Sequence, residues 1–268
     1  DTFMQGIKKN CFDWKRWLQE SSISVRGKSN LWGYELLLIT VCILVLYGNI
    51  RINASGGVWC GGDSLVVMDD VFTKIFLTPF FLYLLNFLLR DDMRIQVILR
   101  EQGKRILWGK FMFKTMLVSV CFTVNVFLIT FFFSTGMGNL ALNWKEEESF
   151  FYRMCGRVLK DVSVGMVSFW FLVLNIFFYL AIGSMFGLLY WLTKRTIWGW
   201  IVCSMIPIIY LNPPVELSGI LKLPELLWGN WFRKEDFFTM LIYMFAVVVC
   251  IFLAGEILAK RREFMNER

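Results

Sequence analysis

The sequence predicts an all-α, polytopic integral membrane protein with six transmembrane helices, and three observations predict it. Charged residues make up 18% of the 268-residue chain and hydrophobic ones 57%, whereas a soluble domain carries about a quarter charged residues. The charges are gathered in clumps. The runs between clumps, such as Phe76 to Leu89 and Leu241 to Leu253, are apolar on every face. A spanning helix needs about 20 mostly apolar residues, while a barrel strand alternates apolar and polar over about ten, so helices are expected.

In chain order, residues 1–30 form a segment of their own. Phe3, Met4, Ile7, Cys11, Trp14 and Leu18 share one helical face, with Lys8, Lys15, Arg16 and Gln19 on its flanks and back. That pattern predicts an amphipathic helix lying along the membrane surface, with a mobile tail as the alternative. Polar and basic residues precede the first apolar run at a length unlike a short charged n-region, so the first span rather than a cleavable signal peptide is expected to direct insertion. The six-helix domain covers 31–258. Its spans are expected at Leu31–Ile50, Val71–Leu89, Phe111–Phe133, Gly165–Leu192, Ile197–Leu211 and Phe237–Leu258. Residues 259–268 are a basic tail.

The basic residues give the orientation. Lys8, Lys9, Lys15, Arg16, Arg26 and Lys28 precede the first span; Arg90, Arg94, Arg100, Lys104, Arg105, Lys110 and Lys114 lie between the second and third. Lys194 and Arg195 separate the fourth and fifth, and Lys260, Arg261, Arg262 and Arg268 end the chain. Roughly two-thirds of the 28 basic residues thus fall on one side, which the positive-inside rule makes cytoplasmic, with both termini inside. The net charge of +7 is then a membrane-edge charge facing anionic lipid, and nucleic-acid binding is not expected.

The connection 90–110 is long for a link between spans. Ile95, Ile98, Leu99, Leu107 and Trp108 can line a helical face broken near Gly103. It reads either as a docking element for a protein partner or as a solvated loop that fixes topology. On the other side, the first connection, "RINASGGVWCGGDSLVVMDD", reads as glycine-rich and flexible, and Glu146, Glu147 and Glu148 as a solvated face. Cys60 and Cys155 both lie on that side, where a bond between them and two free thiols are both open. The segment 212–236 stays apolar although broken by prolines; it is expected to hold a re-entrant or surface-lying helix near 217–227, or an ordinary interfacial loop.

Several chemistries are excluded. The chain has no histidine, and its seven cysteines show no paired metal-ligand spacing, so most zinc sites and all serine–histidine or cysteine–histidine catalysis are ruled out. Gly27, Lys28 and Ser29 imitate the end of a phosphate-binding loop, but the required earlier glycine is Ser22. Asp91 and Asp92 are neighbours that point apart on a helix, a poor acid–base pair. Inside the spans, Asn125 and Asn175 stand near mid-membrane on antiparallel helices and are expected to hydrogen-bond to each other, with a substrate contact as the alternative. Gly183 and Gly187 form a small-residue pair for close helix packing. Glu35 and Glu256 are expected near the cytoplasmic ends, within reach of water.

"ILREQGKRILWGKFMFK" is similar to the arginine–glycine–basic–tryptophan–lysine loop of small permeases, and the whole layout resembles the membrane (permease) subunit of a bacterial type-2 ABC exporter. The resemblance implies that residues 1–30 are an elbow helix and that 90–110 is the coupling loop. It implies that Leu99, Arg100, Glu101, Gln102, Gly103, Lys104 and Arg105 dock on a separate ABC ATP-binding subunit, which would hold ATP and magnesium and carry out hydrolysis. This chain itself is then not an enzyme and has no cofactor. The resemblance further implies a second permease copy or a related permease, surrounding membrane lipids, and a place in the bacterial cell membrane. Transferred by helix position, Phe80, Tyr83, Asn86, Met205 and Ile209 would line the path of an apolar or amphipathic cargo such as a peptide, a bacteriocin-like peptide or a lipid. The competing readings are a non-transporting membrane scaffold and an ion-coupled carrier.

Overall fold

The computed structural model describes residues 28–52, 57–89, 104–136, 141–156, 158–160, 162–211 and 234–261. Among the described residues there is no strand, only an isolated parallel bridge between Val58 and Ser149. Eight helices are described: α1 (Lys28–Ile52), α2 (Gly61–Asp69), α3 (Val71–Leu89), α4 (Lys104–Gly136), α5 (Phe150–Cys155), α6 (Val164–Thr193), α7 (Thr196–Leu211) and α8 (Lys234–Arg261). Five of them, α1, α3, α4, α6 and α8, are long and apolar enough to cross a bilayer, which marks a multi-pass membrane protein. At 16 residues α7 is apolar but shorter.

The chain to Tyr34 and the chain from Glu35 onward are two compact units, and of the first only the opening turns of α1 are described. In the second, α6 is the hub, packing against α2, α3, α4, α7 and α8. The Ser163 hydroxyl caps its start by accepting the Met166 amide at 3.2 Å. At its end Lys194 adopts the left-handed backbone (φ 57°) and donates its amide to the Tyr190 carbonyl at 2.8 Å. Lys194 and Arg195 thus sit where the helix dipole favours positive charge, and the sharp reversal lets α7 begin at Thr196.

α4 starts at Lys104 rather than Phe111, so Leu107 and Trp108 belong to the third long helix instead of a separate loop helix. The stretch after Gly103 is rich in helix formers, and apolar packing continues through it: Leu107 and Trp108 are both buried. Down one side of α4 run Thr115, Ser119, Thr123, Thr130 and Ser134, all buried. Four of these hydroxyls bond to the carbonyl one turn back, which lets a hydroxyl sit in an apolar bundle at little cost.

The first connection overturns its sequence reading. Instead of a flexible link it contains α2, whose nine residues are all buried, packed against α3, α4 and α6. Asp63 makes this helix by accepting the Cys60 amide at 2.8 Å across its first turn. Gly62 lets it approach the second connection, since a Cβ there would meet Leu142 at 2.3 Å and Trp144 at 2.8 Å. Val58 clasps the same connection, donating to the Glu148 carbonyl at 2.8 Å and accepting from Phe150 at 3.1 Å. Asp69, at the far end of α2, bonds Asn175, which lies roughly 16 Å along α6 from Val164 at 1.5 Å per residue. α2 therefore fills the bundle beside the first three turns of α6, and the 19-residue α3 occupies the remaining ~28 Å.

Candidate functional site

A buried ionic cluster lies at the junction of α2, α3 and α6. Asp69 Oδ1 accepts from Lys74 Nζ and from Asn175 Nδ2, each at 2.8 Å. Lys74 also lies over the Phe178 ring, 4.9 Å from its centroid. The pair is almost fully enclosed, with 9% of the lysine side chain and none of the aspartate exposed. Asp69 Oδ2 and, one turn below Lys74, Thr78 Oγ1 are buried without a hydrogen-bond partner. Burial raises the Asp69 carboxyl above the usual carboxylate range, with the Lys74 ammonium and its hydrogen bonds pulling the other way. Moving such a pair out of water costs several kcal/mol per ion, so an acid and a base here call for a reason.

The other end of α2 holds a second buried acid. Asp63 Oδ1 accepts the Trp144 indole N–H at 2.8 Å, and Trp144 stacks on Phe151 with centroids 4.4 Å apart. Desolvation lifts Asp63 to about 6, opposed by the hydrogen bonds from Cys60 and Trp144. The Cys60 thiol is buried and free, and burial together with the Asp63 charge pushes it up to about 12, far from a reactive thiolate.

The expected Asn125–Asn175 pair is not formed. Asn175 is taken by Asp69 and by the Phe171 carbonyl at 2.9 Å, while Asn125 donates to both Glu35 carboxylate oxygens at 2.7 and 2.9 Å. A carboxylate is a stronger acceptor than a second amide, and each asparagine has one in reach. Glu35, half-buried near the start of α1, is held by mid-helix Asn125; Glu256 is half-buried on α8. Gly183 and Gly187 stand where α6 meets other helices: a Cβ on Gly183 would lie 2.5 Å from Thr115, and one on Gly187 2.1 Å from Phe111.

The residues proposed for a path separate into two groups. Met205 and Ile209 line an apolar cleft of roughly 450 Å³ between α6, α7 and α8, with Phe178 and Met185 on one wall and Tyr243 and Ile251 on another. Its size falls in the range of small-molecule sites, about 300–1,000 Å³. Phe80, Tyr83 and Asn86 lie on α3, outside that cleft, and Tyr83 stacks on Phe87 with centroids 6.4 Å apart. Of the residues expected to dock on a partner, Leu99 to Gly103 lie outside the described residues, and Lys104 and Arg105 open α4. The elbow helix, the segment 212–233 and the tail beyond Arg261 also lie outside them. Among the described residues no group of three His, Cys, Asp or Glu could hold a metal ion.

Asp69 and Lys74 are inconspicuous in sequence because they sit at the edge of an apolar run, where a charge normally reaches water. The available signal was "DSLVVMDD", four apolar residues between acids, a pattern wasteful in a flexible loop but natural in a short buried helix. No family model, curated protein or solved structure matches the chain.

Proposed function

We propose that the chain is the permease subunit of an ATP-driven exporter, crossing the bacterial cell membrane six times with α7 as the short fifth span and both ends inside. The observation that carries this reading is the hydrocarbon-lined cleft between α6, α7 and α8, which contains Met205 and Ile209 and suits an apolar or amphipathic cargo. The basic residues support the orientation: Lys110, Lys114, Lys194 and Arg195 share one end of the bundle, and α2 with the second connection caps the other. On this reading Leu99 to Arg105 dock on an ATP-binding subunit that supplies ATP and magnesium, and a second permease copy or a related permease completes the path.

Gentle purification from native membranes, with mass spectrometry of the accompanying chains, tests it. A stoichiometric ATP-binding subunit, lost when residues 100–105 become a neutral linker, is expected. A chain that purifies alone, or with a partner lacking nucleotide-binding motifs, overturns the reading. A second reading, an ion-coupled carrier, is favoured by the buried Asp69–Lys74 pair. It predicts cargo movement that stops when the proton or sodium gradient is collapsed and continues when ATP is depleted.

A further inference from the structure

We infer that Trp108 is the positioning residue through which the basic connection sets the width of the apolar cleft; this rests on the export reading. Trp108 sits one turn inside α4, roughly 6 Å from Lys104 where the helix emerges from the basic stretch. Its side chain is fully buried and touches two other long helices. The indole N–H donates to the Phe252 carbonyl of α8 at 3.1 Å, and the ring meets Trp191 of α6 edge-on, centroids 5.4 Å apart at 68°. Beneath it lies Gly255 of α8, where a Cβ would stand 2.1 Å from the indole. Phe111, stacked on Trp108 at 5.5 Å and 15°, occupies the matching slot over Gly187 of α6.

Two aromatic rings of α4 are therefore seated in two glycine notches, one on each wall helix of the cleft. The Gly255 notch lies one turn beyond the cleft on the same face of α8, and the Gly187 notch lies on the α4 side of the α6 wall, behind Met185. Ile251 lies next to Phe252 and one turn from Gly255, and Met185 lies two residues from Gly187; both line the cleft. Close-packed contacts have no slack to absorb a shift, so displacing the Lys104 end of α4 must move α6 and α8 with it or unseat the rings. A backbone carbonyl as hydrogen-bond acceptor makes the coupling act on α8 itself rather than on one of its side chains.

The test uses the complex purified from membranes, in a chain whose native cysteines are replaced and Met205→Cys carries an environment-sensitive fluorophore. The fluorescence change on adding magnesium ATP with vanadate reports the cleft. The unaltered lock is expected to give a clear change. Gly255→Ala, which pushes the ring out of its notch, should keep the ATP-binding subunit and lose most of the change. Trp108→Phe, which keeps an aromatic ring and removes only the N–H donor, should shift the balance between the two cleft states roughly two- to tenfold, as expected for one hydrogen bond; it decides the matter if Gly255→Ala does not fold. A full response in folded variants overturns the inference and leaves the export reading standing. An intact lock that binds no ATP-binding subunit and gives no response removes that reading, and the inference with it.

Discussion

Replacing Lys74 with methionine tests whether the buried pair is ionic. The stem of the lysine is retained in size, so the change removes chiefly the ammonium 2.8 Å from Asp69 and the contact with the Phe178 ring. Removing one partner of a buried pair costs about 3–5 kcal/mol, because the other charge is left enclosed. Asn175 still donates to Asp69 Oδ1, but Oδ2 already has no partner, so little local compensation is available. The loss should appear near pH 7 as a lower midpoint in thermal unfolding of the full chain in mild detergent, followed by tryptophan fluorescence. It should be smaller at acid than at alkaline pH, since burial raises the Asp69 carboxyl and a protonated acid leaves no unpaired charge. Lys74→Met combined with Asp69→Asn should recover most of the loss. A single variant within about 1 kcal/mol of the parent, or a double variant no better than the single, would falsify the ionic description.

Three further outcomes are expected. Asp63 has a folded pKa of about 6 against an ordinary 3.8, so the folded state holds its proton more tightly; stability is greatest below the lower value and is lost, by about 3 kcal/mol, as pH rises between the two. Asp63→Asn should flatten that slope in pH-dependent unfolding, and an unchanged slope would assign it to another group. Gly183→Ala places a methyl 2.5 Å from Thr115 and 3.2 Å from Leu85 and Phe81, so it should cost about 1–3 kcal/mol of stability, with a neutral effect pointing to a looser α3–α4–α6 contact. Gly57→Ala meets backbone at 2.7 Å and a φ of +131°, so it should open the clasp to the second connection and speed amide exchange at Val58 and Phe150; unaltered exchange would show that the clasp does not need glycine.

The long apolar helices were legible because lipid imposes one rule on every face, and a run such as Val71–Leu89 satisfies it without reference to its neighbours. The glycines of α6 were legible for a related reason, since their spacing alone puts them on one face. Partners of polar residues were not. Asn125 and Asn175 had the right depth to meet, yet each found a carboxylate, Glu35 or Asp69, that no spacing rule connects to it. α2 was hidden by its glycines. The pair at 61–62 suggests flexibility in isolation, and only the presence of Trp144 and Leu142 shows that Gly62 serves close approach. Trp108 falls on a loop face by sequence pattern alone because its partners, Phe252, Gly255 and Trp191, are distant in sequence.

The two ends of the bundle are held by different forces, and on the export reading the difference bears on cargo. Towards the capped end the contacts are polar and charged, with Asp63 on Trp144 and, deeper in and beside the cleft wall at Phe178, the Asp69–Lys74–Asn175 cluster; at the basic end they are aromatic rings in glycine notches. Between them the cleft offers apolar side chains and the Tyr243 phenol. An ion seated there would find no counter-charge among the lining residues and would bear most of its desolvation cost. On the export reading, a cargo can rest in this cleft only with its apolar part, while any charged group stays outside it. Short amphipathic peptides and lipid-like molecules meet that requirement, and a compact hydrophilic solute does not.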